Sequence, residues 1–278
     1  MYLLFDIGGT NTRIATSIDG QSLENIEMFS TPKEFEEGMA RFKKYVDRVG
    51  HNLESVSGGF PGTYDTEKKI ILRAPNLGGW TNARLHSVVS QITGAKVYLE
   101  NDAHLAGLGE AVKGEGKEFN IVAYITISTG IGGVRIVAKN IDKAAVGFEP
   151  GHQVVVVNRP GEANVNISYL EELVSGKNIK LRYGKEPEDI DDPLVWDEVH
   201  RFLAIGLNNT IVHWSPDIVI IGGGLGLSDK ISVEKLENNL SNYLDIFNKP
   251  PAIKKGVLAE TAALEGALYY IKSMESKA

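Results

Sequence analysis

The residues of this chain best suited to chemistry are acids, amides and hydroxyls set beside glycine turns. The first group is Asp6-Ile7-Gly8-Gly9-Thr10-Asn11-Thr12-Arg13. Apolar Leu3-Leu4-Phe5 precedes it and Ile14-Ala15 follows, so the stretch reads as strand, tight turn, strand. Asp6, at the end of the first strand, can hold a hydrated Mg²⁺. Gly8 and Gly9 lack the Cβ atoms that would block a polyphosphate. Their N–H groups, with the Thr10 and Thr12 hydroxyls and the Asn11 amide, can donate to phosphate oxygens. A plain surface hairpin is the alternative for this stretch taken alone. A second stretch, Ala123–Val137, repeats the pattern as AYITISTGIGGVRIV. Arg135 is placed like Arg13, Ser128 like Asp6, and Thr129, Gly130, Gly132 and Gly133 fill the turn. Two such hairpins in separate halves suggest two similar domains facing one nucleotide.

Further polar residues sit where strands end. Lys96–Leu99 reads as a strand, Glu100-Asn101-Asp102 closes it, and a helix runs from Ala103 to about Val112. Asp102 can cap that helix, a role Asp fills well. It can also act as a general base at a strand end, where α/β enzymes place ligands. Asn76, in Arg73-Ala74-Pro75-Asn76-Leu77, can form an Asx turn or contact a ligand, and Pro75 makes Ala74 extended. Glu149 and His152 bracket a Pro-Gly turn. They can be a solvated acid and a partly buried imidazole, or two ligands of a metal that lacks a third. Glu171 and Glu172 lie on the helical stretch Ser168–Gly176 and are not distinguished by their neighbours. The apolar strand Asp217–Ile221 empties into Gly222-Gly223-Gly224. No lysine follows at phosphate-loop spacing, so these glycines offer instead a flat backbone surface to adenine or ribose.

The elements that position these groups follow from patterning. Thr31 as N-cap, Pro32 at the first helical position and Glu34 reaching back predict a capping box. Phe35, Met39, Phe42, Val46 and Val49 then recur at helical spacing, with Gly50 as the stop. Val56–Tyr64 reads as a short strand into a glycine-proline loop, Ile70–Leu72 as another strand, and Val154–Val157 is a β-branched run. Pro193 opens a helix to about His213, and Lys235–Leu244 and Thr261–Ile271 are helical. Strands and helices alternate in each half, the mark of α/β layers. The domain boundary is expected after Asp102, near residues 103–118.

The 278 residues are 42% hydrophobic, which suffices for one large domain or two modest ones. Lys and Arg total 29 against 36 Asp and Glu, a net charge of -7 with no strongly basic segment. General nucleic-acid binding is therefore disfavoured. The chain has no cysteine, which removes disulfides, thiolate zinc ligands and thiol nucleophiles and fits a reducing compartment. No signal-peptide pattern and no run approaching the ~18 apolar residues of a membrane span is visible.

Taken together, DIGGTNTR, FPGTYD, APNLGGW, ENDAHLAGLGE, STGIGG, GFEPGH, LEELVSG, DIVIIGGGL and ALEGAL give the chain a strong likeness to known proteins. It resembles the ROK family of sugar kinases, glucokinase-like members of the actin/hexokinase-like superfold. The resemblance spans nearly the whole length. It implies an α/β fold of two ribonuclease H-like domains flanking a cleft, residues 1–103 and 104–278, with the helix at about 261–275 free to pack back on the first. It implies ATP-dependent transfer to a hydroxyl of a hexose or N-acylated amino-hexose, glucose-like first, with Asp102 as catalytic base. Asp6 would hold Mg²⁺ through water. Gly8, Gly9, Thr10, Asn11, Thr12, Thr129 and Gly130 would surround phosphates, with Gly223 and Gly224 along the adenosine. Asn76, Asn101, Asp102, Glu149, His152 and Glu171 would hold the sugar, Glu171 being preferred because it lies five residues before Gly176 as in the family pattern.

A cytoplasmic homodimer is implied by the same analogy, without nucleic-acid or membrane partners. Many members carry a cysteine-rich zinc site that Gly151 to Glu171 cannot build here, so structural zinc is not expected. Pro150 and Ser128 also depart from the usual pattern. The alternatives are a sugar-binding regulator, which would carry a helix-turn-helix ahead of the first hairpin, and an actin-like nucleotide-switch ATPase of the same superfold.

Overall fold

A computed structural model describes residues 1–276 apart from 51, 66–68, 75, 146 and 158–166. The expectation at Pro75 therefore lies outside the described residues. Contacts divide the chain into two units, Met1–Gly109 with Glu260–Ala278, and Glu110–Ala259. The sequence reading ends the first domain at 103, whereas the division falls inside a helix that starts at Asp102.

The first unit runs β1 (Tyr2–Ile7), β2 (Asn11–Ser17), β3 (Glu24–Ser30), α1 (Phe35–Val49), β4 (Ser55–Phe60), β5 (Thr63–Asp65), β6 (Ile70–Arg73), α2 (Leu85–Thr93), β7 (Lys96–Asn101) and α3 (Asp102–Val112). Its sheet has the order β3-β2-β1-β4-β7, antiparallel through β3, β2 and β1 and parallel from β1 to β7. Every side chain of β1 from Leu3 to Ile7 is buried, as a central strand covered on both faces requires. One face meets α1 and α2 through Phe5, Phe42, Val46, Leu85 and Val89.

The capping box expected at Thr31 is not what starts α1. Its N-cap is Glu34, whose side chain makes no capping bond. Burial of Phe35, Met39, Phe42, Tyr45 and Val46 holds the helix instead. At about 1.5–3 kcal/mol per buried side chain this outweighs a missing cap of about 1 kcal/mol.

The second unit runs β8 (Ile121–Ile127), β9 (Ile131–Val137), β10 (Asn140–Ile141), β11 (Val154–Val157), β12 (Ile167–Tyr169), α4 (Leu170–Val174), α5 (Gly176–Tyr183), α6 (Pro193–Trp214), β13 (Ile218–Gly222), α7 (Gly224–Leu227), α8 (Val233–Leu240) and β14 (Ala252–Lys255). Its main sheet has the order β10-β9-β8-β13-β14, with the same alternation of antiparallel and parallel pairs as the first. Ile125, Ile127, Val219 and Ile221 meet Leu203, Leu207, Ile211 and Leu236 in its core.

The closing helix α9 (Ala262–Glu275) belongs to the first unit. Leu264, Ala267, Leu268 and Ile271 cover the other face of the first sheet, with Leu4, Ala15 and Leu105. Gly109 and Gly266 make this approach possible. A Cβ on Gly109 would stand 2.0 Å from the Ala262 oxygen, and one on Gly266 1.8 Å from the Leu105 oxygen. Among the described residues no helix is long and apolar enough to cross a membrane.

Candidate active site

In the first unit, Asp6 stands one residue before the end of β1, directly opposite Arg13 of β2. The guanidinium reaches both Asp6 Oδ2, at 3.5 Å, and Glu260 Oε1, at 3.6 Å. Neither contact is short. Burial raises the Asp6 carboxyl most, the nearby charge of Asp102 raises it further, and Arg13 opposes both, with a net rise from 3.8 to about 7. Asp6 and Asp102 thus lie near one another at this end of the sheet, and Arg13 engages Asp6 only at 3.5 Å. The Arg13 Nε is buried and has no hydrogen-bond partner among the described residues. A buried carboxylate with a second one nearby suits a divalent cation, with Asp6 as the residue to hold it through water.

The turn after β1 is held from outside. The Gly8 N–H donates to Asn11 O at 2.9 Å, so it serves the turn rather than a ligand. The Thr31 hydroxyl donates to Gly8 O at 2.8 Å and shares a 2.9 Å hydrogen bond with the Thr12 hydroxyl. Thr31, read from sequence as a helix cap, is therefore a buried clamp on the turn. Thr12, expected at phosphate, is buried with its hydroxyl turned inward to that clamp. Thr10 is exposed and Asn11 half-buried at the turn. Asn76 packs against the same turn, for a Cβ on Gly9 would meet the Asn76 Cβ at 2.9 Å.

Asp102 sits at the start of α3, immediately after β7. Gly59 of β4 gives it room, since a Cβ there would stand 2.9 Å from the Asp102 Cα. Asp102 Oδ1 accepts the Ala103 N–H at 2.9 Å, and Asn101 caps the helix as well. Its Oδ1 accepts from the N–H groups of Ala103, at 2.9 Å, and His104, at 3.2 Å, while its Nδ2 donates to Gly62 O. The amide expected to hold sugar is thus engaged by its own unit. Glu100 Oε1 accepts the Asn101 N–H and pairs with His104 Nδ1 at 2.9 Å, a pair the sequence reading missed although its i,i+4 spacing was visible.

In the second unit, β8 and β9 pair as far as Ile127↔Ile131, so Ser128, Thr129 and Gly130 form the turn itself. This corrects the expected likeness of Ser128 to Asp6 and of Arg135 to Arg13. Asp6 lies in a strand, whereas Ser128 lies in the turn, so the same sequence interval carries Arg135 four pairs up the ladder to face Ala123. Arg135 there pairs with Asp142 and donates to Trp214 O.

Glu149 and His152 flank a short 3₁₀ turn, with Oε2 and Nδ1 3.5 Å apart and both side chains well exposed. The turn abuts β9, because a Cβ on Gly151 would stand 2.5 Å from Ile131 O. Glu171 and Glu172 are told apart by their bonds. Glu172 accepts the Tyr169 N–H at the start of its own helix, while Glu171 Oε2 accepts the Ile131 N–H at 2.7 Å, across at the second hairpin.

The glycine run after β13 divides similarly. A Cβ on Gly222 would strike the Tyr124 hydroxyl, and Gly223, with φ +80°, would strike Thr126 and Ile127. Only Gly224 has nothing within 4 Å of a built Cβ. Gly222 and Gly223 are therefore needed by β8, and Gly224 is the one that leaves open space for a ligand. No group of three or more His, Asp or Glu side chains is arranged to bind a metal among the described residues.

A two-sheet α/β architecture with glycine hairpins at equivalent places, one carrying an acid, defines the actin/hexokinase-like class. A family model described as the ROK family matches residues 2–274, and the chain belongs to that family. It is 28% identical to a glucokinase of Thermotoga maritima, over 96% of each chain. It is 26% identical to an N-acetyl-D-glucosamine kinase of Mannheimia succiniciproducens, over 95% of this chain and 96% of that one. A ROK family glucokinase from Streptomyces griseus, solved in complex with glucose and AMPPNP, superposes with a TM-score of 0.78 at 25% identity, covering 97% and 98% of the two chains.

Proposed function

We propose that this chain is an ATP-dependent sugar kinase that phosphorylates a hydroxyl of a hexose or N-acylated amino-hexose, with glucose-like sugars the first candidates. The observation that carries the reading is the pair Asp6 and Asp102 at one end of the first sheet, with Gly59 of β4 paired to Asp6 and packed against Asp102. Membership of a family with kinase relatives supports it. Asp102 takes the proton of the attacking hydroxyl as the bond to the γ-phosphorus forms and the bond to the ADP oxygen breaks. Asp6 would hold magnesium through water, and the ion, when bound, would supply charge neutralisation for the phosphates. In the first unit Gly9, Thr10 and Asn11 serve phosphate and Asn76 serves sugar. In the second, Thr129, Gly130 and Gly224 serve nucleotide, and Glu149, His152 and Glu171 serve sugar. A cytoplasmic homodimer goes with this reading by family analogy, and sedimentation would test the dimer.

The test is a coupled ADP-release screen over hexoses and amino-hexoses with Mg²⁺-ATP. Sugar-dependent release is expected. Sugar binding without release would favour a regulator, and release indifferent to every sugar would favour a nucleotide switch.

A further inference from the structure

Glu171 is read above as a sugar residue, yet its clearest contact is with the second hairpin. Oε2 accepts the Ile131 N–H at 2.7 Å, the first amide after the Ser128–Gly130 turn. The carboxylate also lies directly on the turn, since a Cβ on Gly130 would stand 2.7 Å from the same oxygen. Two further bonds tie this turn to the junction of α4 and α5. Gly176 N–H donates to Ser128 O at 2.8 Å, and Lys177 N–H to Thr129 O at 3.4 Å. The junction is itself rigid. Ser175 is fully buried and caps α5, and Asn178 Nδ2 donates to both Ser175 Oγ and Glu171 O.

We propose that Glu171 is a positioning residue for the Ser128–Gly130 turn, so that nucleotide affinity, and not sugar affinity alone, depends on its carboxylate. The inference rests on the kinase reading, in which Thr129 and Gly130 face phosphate. Electrostatics supports a positioning role. A carboxylate beside a phosphate-binding turn repels the ligand, so its presence there needs a compensating contact. The charge-assisted bond to Ile131 is that contact, and it removes the Ile131 N–H from the set of phosphate donors. The two backbone bonds at 176 and 177 do not depend on the side chain at 171. The Glu171 bond is the side-chain contact at the exit of the turn into β9. A sugar hydroxyl, on the same reading, is left to Oε1. One carboxylate then serves sugar through one oxygen and the phosphate turn through the other, which makes the two binding events mutually dependent.

The experiment compares the wild type with Glu171→Ala and Glu171→Gln in the absence of sugar. Mg²⁺ with the β,γ-imido analogue of ATP is titrated calorimetrically, and amide exchange is followed over residues 128–133. Gln keeps an oxygen that can accept from Ile131, and Ala does not. The expected result is a Kd at least ~10-fold weaker in Glu171→Ala, the scale of one lost charged hydrogen bond, with faster exchange over 128–133. Glu171→Gln should return both to within ~3-fold of the wild type, at unchanged Tm. Wild-type nucleotide affinity and protection in Glu171→Ala, with only sugar affinity lost, would overturn the proposal and leave the kinase reading standing. Failure of the wild type to bind the analogue at all would sink the kinase reading, and this dependence with it.

Discussion

The two hairpins β1–β2 and β8–β9 occupy the same place in sheets of the same strand order, yet they carry different chemistry. The first has its acid built into the strand, Asp6, one pair before the last of the ladder. The second has no acid of its own and receives one, Glu171, from a helix forty residues further on. Each turn is steadied by a side chain from outside the hairpin, a hydroxyl from Thr31 in the first and a carboxylate from Glu171 in the second. The difference shows what a duplicated topology fixes and what it leaves open. Backbone pairing sets where a turn can stand, while the groups that make the turn a site come from unrelated segments in each unit.

The comparison is tested most strongly at the end of β7, which has no acidic counterpart at the end of β14. Asp102→Asn should lower kcat by at least ~10²–10⁴-fold while the protein stays folded and binds sugar and nucleotide. The helix is not at risk, because Asn101 supplies the cap. Near-normal kcat in the folded variant would remove Asp102 as the base.

Asp6→Asn comes next and should separate function from stability. Activity should fall by at least ~10-fold through weaker use of Mg²⁺, since Asn is the poorer partner for a hydrated dication. The ligand-free protein should gain about 1 kcal/mol in denaturant unfolding, because the substitution removes a buried charge lying near that of Asp102. A variant that is both less active and less stable would show that Arg13 holds Asp6 more firmly than a 3.5 Å contact suggests.

How much of this was legible in the sequence follows from where each signal resides. Strand β1, the glycine turns, α1 and α6 are announced by local patterning, as are Gly50 and Pro193 at helix ends. The acids Asp6 and Asp102 stand at strand ends that the apolar runs Leu3–Phe5 and Val97–Leu99 already mark. What could not be read is pairing over long separations. Thr31 carries a good local capping pattern, but burial beside Gly8 makes its hydroxyl worth more at the turn than at the helix. The register of β8–β9 depends on turn length, and one shift moves Arg135 away from the site. Gly222 and Gly223 look like ligand contacts but are glycines because Tyr124, Thr126 and Ile127 of β8 crowd them. Strand β3 and helix α5 escaped notice, the one because exposed Ile26 and Met28 blur its alternation, the other because the buried Ser175 separates it from α4.

A smaller effect is expected when the outside support of the first turn is removed. Thr31→Val keeps the shape but leaves Gly8 O and the Thr12 hydroxyl without their shared partner. The loss should be about 1–3 kcal/mol in urea unfolding, with nucleotide affinity reduced as well. If nucleotide affinity is untouched, the first turn supports itself and the parallel with Glu171 fails.

The smallest effect concerns acid, and it distinguishes the units rather than the hairpins. His200 on α6 is buried in the second unit, where Nε2 accepts the Ser232 N–H at 2.8 Å. That bond leaves Nδ1 to carry the proton and donate to Trp196 O. The neutral ring satisfies both partners, and a second proton would set N–H against N–H. Desolvation lowers its pKa first, the Trp196 carbonyl opposes this, Lys235 and Lys255 lower it further, and Asp197 works against them. The unfolded chain therefore takes up this proton before the folded one does. Its contribution to stability is whole above the unfolded value of 6.5 and is lost as pH falls from there through the lowered folded value. In the first unit, His86 is shifted the same way but less buried, with desolvation and Lys69 lowering its pKa. His200→Gln should then show a smaller fall in Tm than the wild type between about pH 7.5 and about pH 5. His86→Gln should change that fall less. Equal falls in the wild type and His200→Gln would mean that the acid sensitivity of the second unit arises elsewhere.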